Sequence, residues 1–572
     1  MSRSALMLAT LLGTTALVLA ACKKPREGAQ ANATTSSAPP VAAHRFEPAI
    51  SSSDFAAHVR LLASDAFEGR APGSAGGDKS VEYIKAQFLR LGLAPGNGDS
   101  YIQSVPMVEA IADPATVLAF DVGGKPLALR FGSDMVVGTR SGQAQVVLDG
   151  SDLVFVGYGV HAPELGWNDY AGTDVRGKTV VMFVNDPGFH VQDPTLFGGK
   201  RMTYYGRWTY KFEEAARQGA AAALIIHDRE GAAYGWDVVK DGWSGPQFAL
   251  SPTDDREPRL RAQGWLSGGA ANTLLGRAGH RLDALYEAAN MPGFKAIPLQ
   301  AKLSLDLRST ITRKTSRNVL ARLPGAERPD EAIVYMAHWD HLGRHEGERS
   351  HGGDRIYNGA VDNATGVAGM LEIAEAFSRA GTPPDRSLLF LAVTLEESGL
   401  LGSRYYVAHP SVPLAQTVAV VNLDTMPVIG RTRDMTVVGL GSSQLEAILR
   451  RSTDAQGRVL RAEASPQDGL YFRSDHFNFA KAGVPALYAK GGDDLIDGGT
   501  GAGKAAQVDY RDNRYHQPGD AFDPAWPLAG VVEDIHALYG VGRELAGSGQ
   551  WPVWYPGSPF AAAHAKLHPA AP

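Results

Sequence analysis

The chain has 572 residues, and its 44% hydrophobic and 20% charged content is that of a folded protein rather than a collagen, a coiled coil or a disordered segment. Because a single core stops growing near about 250–300 residues, this length predicts two or three domains. The net charge of −6 leaves no basic surplus for a phosphate backbone, so nucleic acid is not an expected partner. Cys22 is the only cysteine, which excludes a disulfide framework and a cysteine-ligated zinc site. A metal would have to be held by Asp, Glu and some of the 16 His.

Residues 1–21 have the composition of an export signal. A positive start at Arg3 precedes a mostly apolar run over residues 5–19, which is shorter than the about 20 residues that span a membrane. The run ends in Leu-Ala-Ala-Cys22, which resembles a bacterial lipoprotein signal. That resemblance implies lipidation of Cys22 and, since two lysines follow, sorting to the outer membrane, facing the periplasm or the cell surface. A plain secretory signal with an incidental cysteine is the alternative, and residues 22–50 are predicted to be a flexible tether.

Two regions of different pattern follow the tether. Residues 51–107 carry apolar side chains at helix spacing and are predicted to be the first part of the main domain. Residues 108–310 hold short β runs such as Leu153–Val156 and Thr179–Val184, each closed by Gly, Asp or Pro. This pattern predicts a β-rich inserted domain with a core over about residues 145–295.

Residues 311–548 alternate between strands and helices, and are predicted to complete the main domain. The runs Ala332–Ala337, Ser387–Leu395 and Val418–Leu423 are continuously apolar, as expected of strands that are covered on both faces. The alternation predicts an α/β fold with a doubly wound, mostly parallel sheet. Residues 549–572 are predicted to be a C-terminal tail, either docked or loose.

Potential metal ligands follow the predicted strands at their carboxyl ends, where open α/β sheets bind their ligands. Three strand ends carry His338-Trp-Asp-His341, Glu396-Glu397 and Leu423-Asp424, and two loops carry Val361-Asp-Asn363 and Tyr515-His516. Like charges at this density repel each other unless a cation neutralises them. The sequence therefore predicts a cationic metal at this edge of the sheet.

The number of ligands indicates the kind of metal site. Five residues are too many for one tetrahedral zinc, and they suit two zinc ions that share one carboxylate and leave a position for water. The five are His338, Asp362, Glu397, Asp424 and His516. Glu396 is the natural general base, if the loop turns it toward that water. Asp340 is placed to orient the His338 imidazole as a hydrogen-bond acceptor.

These motifs resemble the dizinc metallopeptidase family that includes aminopeptidase Y, bacterial leucyl aminopeptidases and glutamate carboxypeptidase II (peptidase family M28). The resemblance implies two Zn²⁺ ions, one held by His338 and Asp424, the other by Glu397 and His516, with Asp362 as the bridge. It also implies Glu396 as the general base and Asp340 as the partner of a metal-binding histidine. Tyr515 stabilises the tetrahedral intermediate in some members of the family, and the resemblance extends that role to this chain.

Parts of the inserted region resemble a protease-associated domain, which related enzymes insert into the peptidase domain. The similar segments are Val154–Val160, Asn168–Tyr170, Asp174–Val180 and Lys211–Ile226. The resemblance therefore implies one split peptidase domain of the zinc exopeptidase fold, interrupted by a protease-associated domain.

The implied activity is that of an aminopeptidase, in which a hydroxide bridging two zinc ions attacks the peptide carbonyl and Glu396 moves the proton. A carboxypeptidase or dipeptidase on the same scaffold is the alternative, and basic residues gathered at the pocket would favour it because they pair with a terminal carboxylate. A non-catalytic, receptor-like relative is a third possibility. His341, His345 and His351 lie in a polar Gly- and Arg-rich loop and are predicted to lie at the rim or in solvent.

Overall fold

The central sheet is built from three apolar strands, Arg328–His338, Arg386–Val393 and Thr417–Asn422, which pair in parallel. Side chains alternate along the first strand. Ile333 and Tyr335 belong to the core on one face, whereas Val334 and Met336 belong to the core on the other. Because both faces are covered, each strand needs an unbroken apolar sequence. The predicted α/β fold with a mostly parallel sheet is confirmed.

The computed structural model describes residues 44–255, 257–344 and 353–569. The predicted signal peptide, Cys22 and most of the tether lie outside the described residues, as do His345 and His351. From Arg45 onward the chain forms one compact unit that contains both predicted regions. Within the described ranges, no helix is both long and apolar enough to cross a bilayer.

Helices cover the two faces of the central sheet. One face carries the helices Ser52–Leu62, Ala75–Arg90, Thr365–Ser378 and Ala529–Gly547. The other face carries Leu401–Ala408, His476–Lys481 and Ala561–Leu567. The C-terminal tail is docked on this second face, where Trp554 and Phe560 are buried and the Trp554 indole N–H donates to the Gly483 carbonyl at 3.0 Å.

Further elements complete this part of the chain. Strand Ala486–Gly491 continues the parallel sheet beside Thr417–Asn422, and it also pairs with Asp434–Val437, whose other neighbour is Val459–Ala462. Two further α-helices are Leu445–Ala455 and Gly499–Asn513, and three further short strands are Ala94–Pro95, Gly343–Arg344 and Ile356–Tyr357.

The inserted region has its own sheet and its own apolar core. The strands of this region are Val117–Val122, Lys125–Arg130, Met135–Gly138, Gln145–Phe155, His161–Ala162, Trp167–Asn168, Thr179–Phe183, Ala222–Ile226, Gln247–Leu250 and Ala262–Leu266. Its helices are Trp208–Arg217, Arg229–Ala232, Trp236–Ser244, Gly268–Arg277 and Leu282–Ala289.

One long strand, Ile297–Leu323, joins the two regions. Its first part pairs with Gln145–Phe155 of the inserted region, and its last part pairs with Arg386–Val393 of the central sheet. Between these two parts it forms an antiparallel ladder with Ile102–Ala112. This ladder passes without a break through residues 108 and 310, where the inserted region is predicted to begin and end, and the strand Gln247–Leu250 pairs with its free edge at Met107–Ala110.

Candidate functional site

The candidate site lies at the carboxyl ends of the three parallel strands. His338 is the last residue of its strand, and Asp424 follows the strand Thr417–Asn422 by two residues. The strand Arg386–Val393 ends two residues earlier than predicted, and Leu395 has a φ of 58°, in the left-handed region. This turn of the backbone ends the extended conformation before Glu396 and Glu397, so the alternation of side chains along a strand does not apply to the pair.

The loop that carries Asp362 is held by buried hydrogen bonds from two distant segments. The Asp520 carboxylate accepts hydrogen bonds from the backbone N–H groups of Val361 and Asp362, at 2.9 and 3.0 Å. The buried Arg70 guanidinium donates to the carbonyls of Asn358 and Gly359, at 2.6 and 2.8 Å. These contacts fix the position of Asp362 relative to the strand ends.

The five predicted ligands meet around the Asp362 carboxylate. His338 Nε2 lies 3.3 Å from Asp362 Oδ1 and 3.4 Å from Asp424 Oδ1. On the other side, His516 Nε2 lies 3.1 Å from Asp362 Oδ2 and 3.0 Å from Glu397 Oε2. The two oxygens of Asp362 therefore face two different histidines, each of which also faces one further carboxylate.

This donor set fits two zinc ions. Neighbouring ligand atoms around a tetrahedral zinc with bonds of about 2.0–2.1 Å lie about 3.3 Å apart, and the pairs just described lie 3.0–3.4 Å apart. Two groups of mutually close ligand atoms occur among the described residues, and each contains two of the predicted ligands: His338 and Asp424 with Glu396, and Asp362 and Glu397 with His341. His516 belongs to neither group, but its Nε2 contacts Asp362 and Glu397. Imidazole and carboxylate are ligands that zinc accepts.

The charges of the site are strongly coupled. Burial, together with the neighbouring Glu397 and Asp424, raises the pKa of Glu396 well above its ordinary value, although His338 opposes this. Burial alone would raise the pKa of Glu397, but His516 and His341 lower it to about 2. Burial alone would lower the pKa of His516, but Glu397 and Asp362 raise it to about 10. Without a cation, protons on Glu396 and His516 balance part of the buried carboxylate charge, and bound divalent cations would take their place.

Glu396 and Tyr515 flank the proposed ligands. Glu396 Oε2 lies 4.0 Å from His338 Nε2, on the side of Asp424. The Tyr515 ring stacks on the His516 ring with centroids 3.9 Å apart, and the residue is 39% exposed and lines the cleft. Both residues therefore lie within reach of a substrate in the cleft, one on each side of Asp362.

Asp340 is buried at the back of the site, but its contacts differ from those predicted. The atom within hydrogen-bond distance of His338 Nδ1 is the backbone carbonyl oxygen of Asp340, at 3.1 Å, whereas the carboxylate oxygen lies at 3.9 Å. Oδ1 of Asp340 accepts a hydrogen bond from the Glu396 backbone N–H at 3.2 Å. The Asp340 carboxylate thus positions the Glu396 backbone, and the carbonyl orients the imidazole.

Ser474, for which the sequence suggested no role, supports Asp424. Its hydroxyl donates a short hydrogen bond to Asp424 Oδ2 and accepts one from the Asn422 side-chain amide at 2.6 Å. This leaves Asp424 Oδ1 to face His338.

The prediction that His341 lies at the rim or in solvent is wrong. Its side chain is 1% exposed, and its Nδ1 lies 2.7 Å from Glu397 Oε1. The polar loop that suggested exposure begins after this residue. His341 contacts Arg70, which is far away in the sequence, and Gly359, which lies beyond the polar loop, and a local pattern does not reveal such contacts.

The predicted ligands line a large cleft between the two regions of the chain, with a volume of about 2460 Å³. The inserted region contributes aromatic side chains to its wall, among them Trp208, Trp243 and Phe248. A smaller pocket of about 290 Å³ adjoins Glu396, and Arg207 and Arg473 line it. Sequence reasoning missed these two arginines because neither lies in a recognisable motif.

Residues 318–539 match the model of peptidase family M28. The chain is 28% identical over 246 residues to leupeptin-inactivating enzyme 1 of Streptomyces exfoliatus, a match that covers 41% of this chain and 50% of that protein. It is 29% identical over 194 residues to aminopeptidase YwaD of Bacillus subtilis, covering 33% of this chain and 38% of that protein. A solved aminopeptidase from Aneurinibacillus sp. strain AM-1 aligns over 89% of this chain and 96% of its own, with 20% identity and a TM-score of 0.48.

The match to the family model confirms the resemblance drawn from the motifs. It includes the segments of all five predicted ligands and of Glu396. The chain matches half or less of the length of the two curated relatives named above.

Proposed function

We propose that the chain is a zinc-dependent exopeptidase that removes N-terminal residues from peptides. The observation that carries this proposal is the Asp362 carboxylate, whose two oxygens face His338 and His516 on opposite sides. The match of residues 318–539 to the M28 family supports zinc as the metal and a peptide bond as the target. One ion would be held by His338, Asp424 and Asp362, and the other by Glu397, His516 and Asp362. The inserted region is proposed to be a protease-associated domain.

The side chains around the ligands supply the remaining steps of hydrolysis. Bound zinc would polarise the scissile carbonyl and acidify a water molecule. Glu396 is placed to accept the proton of the attacking water on its carboxylate and to return it to the leaving amine nitrogen. Tyr515, at the wall of the cleft, is the proposed hydrogen-bond donor to the carbonyl oxygen. Asp340 keeps the Glu396 backbone in position.

The substitution Glu396→Gln tests this function. Gln has the shape of Glu but cannot take up the proton, so we expect kcat to fall by about 10²–10⁴-fold or more while two zinc ions per chain stay bound. The neighbouring Glu397→Gln is the matched control, since it removes a proposed ligand and should lower the zinc content. Near-normal turnover in Glu396→Gln would remove Glu396 from its role. A purified wild-type chain without bound zinc, and without zinc-dependent activity, would contradict the function as a whole.

A second candidate function has support from the two arginines beside Glu396. Within the described residues, Arg207 Nε and Arg473 Nε and Nη2 are buried without a hydrogen-bond partner. Burial and then the nearby Arg473 lower the pKa of Arg207 to about 9, so the two guanidinium groups repel each other. Unpartnered, mutually repelling cations in a pocket are suited to bind an anion, and a guanidinium binds a carboxylate well. A dipeptidase or carboxypeptidase would use them to hold the carboxylate end of its substrate.

Matched substrates separate the two candidates. A dipeptide with a free carboxylate, the same dipeptide as its amide, and an N-acetylated dipeptide should be compared for wild type and Arg473→Met. If the second function holds, kcat/KM of wild type is about 10–100-fold higher for the free carboxylate than for the amide, as expected for a charged hydrogen bond of about 1.5–3 kcal/mol. Arg473→Met then abolishes that preference. Equal rates on the acid and the amide, with no hydrolysis of the acetylated peptide, would exclude the second function and support the aminopeptidase.

A further inference from the structure

His341 is a third histidine at the candidate metal centre, besides the two that the motifs imply as ligands. It is fully buried, and its Nδ1 lies 2.7 Å from Glu397 Oε1, the distance of a strong hydrogen bond. The same nitrogen lies 4.0 Å from Asp362 Oδ2. Of the two carboxylates nearby, His341 therefore contacts Glu397 alone.

The two oxygens of Glu397 consequently have different partners. Oε1 faces His341, and Oε2 faces His516 Nε2 at 3.0 Å. A carboxylate on a flexible side chain can rotate about its last bond, and a donor fixed on one oxygen holds the plane of the carboxylate and hence the direction of the other oxygen. Oε2 is then the oxygen left to bind a metal together with His516 and Asp362.

The His341 ring is itself held in place. Its backbone N–H donates to the Arg70 carbonyl at 3.3 Å. Gly359 packs against the ring so closely that a Cβ at that position would lie 2.5 Å from His341 Cδ2. Gly359 also accepts a hydrogen bond from the buried Arg70 guanidinium through its carbonyl at 2.8 Å. The same arginine therefore fixes both the backbone of His341 and the glycine that its ring touches.

We propose that His341 is a positioning residue that holds Glu397 through Oε1 and so presents Oε2 to the metal shared with His516 and Asp362. Its Nδ1–H group donates a hydrogen bond to the Glu397 carboxylate, and His341 does not itself bind the metal. Partners that orient a metal ligand contribute about 10–100-fold to metal affinity. Loss of His341 should therefore weaken the Glu397 site and leave the site of His338 and Asp424 intact. The inference rests on the proposed zinc centre.

The pair His341→Asn and His341→Leu tests this role, because Asn and Leu have nearly the same shape and differ in the donor. Asn can place an amide N–H close to the position of Nδ1, whereas Leu cannot donate. Zinc affinity should be measured for each variant by competition with a chromogenic chelator, and thermal unfolding of the zinc-free protein should be recorded in parallel. We expect His341→Leu to bind one zinc as wild type does and the second about 10–100-fold more weakly, with His341→Asn close to wild type.

Each other outcome has a definite meaning. Two wild-type zinc affinities in His341→Leu would overturn the positioning role while leaving the proposed function in place. Loss of one zinc from both variants would also overturn it, because it would make His341 a direct ligand. Equal weakening of both sites, together with a lower melting temperature in both variants, would show a general structural role instead. A wild-type chain that binds no zinc would contradict the proposed function itself. The chelator titration of wild type identifies that case directly.

Discussion

The strand-end region and the inserted region contribute to the cleft in different ways. In the first, the ligands are tied to a sheet packed on both faces, and His338 and Asp362 are 1% and 3% exposed. In the second, Trp208 and Trp243 form a wall, and no described residue of this region belongs to a group of potential metal ligands. Reactive groups need positions fixed to fractions of an ångström, which a packed sheet supplies. A wall that selects substrates can be built from helices and loops.

Both regions bury a cation, and the surroundings of the two cations show the same division. Arg70 donates to backbone carbonyls of the loops beside the site. Lys211, in the inserted region, is fully buried, and its ammonium donates to the Asn185 carbonyl at 2.8 Å, near the carboxylates of Asp169 and Asp186. The first cation holds the loops of the candidate metal site. The contacts of the second lie within the inserted region.

The largest expected effect comes from the carboxylate at the centre of the first region. Asp362→Asn keeps the shape of the side chain but replaces a bridging anion by a neutral amide. We expect both zinc ions to be lost and kcat/KM to fall by about 10³-fold or more, since the metals contribute several kcal/mol to transition-state stabilisation. Asp424→Asn is the control and should affect one zinc only. Metal analysis after gel filtration measures this, and equal zinc loss in the two variants would deny the bridging role of Asp362.

A smaller effect is expected when the buried cation of the inserted region is removed. Lys211→Met leaves Asp169 and Asp186 buried without their cation, which should lower the free energy of unfolding by about 3–5 kcal/mol. Zinc affinity should stay unchanged because the cluster lies in the inserted region. Urea denaturation followed by tryptophan fluorescence measures the stability. A parallel fall in zinc affinity would break the separation between the two regions.

The smallest effect is a change in pH dependence within the first region. His476 is fully buried, neither ring nitrogen has a partner among the described atoms, and burial lowers its pKa to about 3. Below pH 6.5 the unfolded chain binds a proton at His476, whereas the folded chain does not do so until about pH 3. The free energy of unfolding therefore has its full value above pH 6.5 and decreases as the pH falls toward 3. The slope is about 1.4 kcal/mol per pH unit. In urea titrations between pH 6.5 and 4, the stability of wild type should change with pH by about this much more than that of His476→Phe. Equal slopes in the two proteins would show that His476 does not contribute.

The central strands could be predicted because a strand covered on both faces needs a continuous apolar run, as in Arg328–His338. The strand Ile297–Leu323 could not, since much of its sequence is polar and its conformation depends on a ladder with Ile102–Ala112, about 200 residues away. The five ligands could be found because three of them end or follow apolar strands, and the loops of Asp362 and His516 carry motifs of the resembled family.

Other residues of the site escaped prediction because long-range packing places them. His341 stands next to a polar loop, and it contacts Arg70 and Gly359. Arg207 and Arg473 come from the two different regions of the chain and meet only in the folded protein. Composition and local spacing do not indicate that these two arginines lie close together. From the sequence it could be stated only that a pocket that binds a terminal carboxylate needs basic residues.

The most direct test of the two-ion centre is anomalous diffraction at the zinc edge from crystals of the zinc-loaded protein. The expected result is two peaks about 3.5–4 Å apart, one beside His338 and Asp424, the other beside Glu397 and His516, with Asp362 contacting both. A single peak, or peaks away from Asp362, would contradict it.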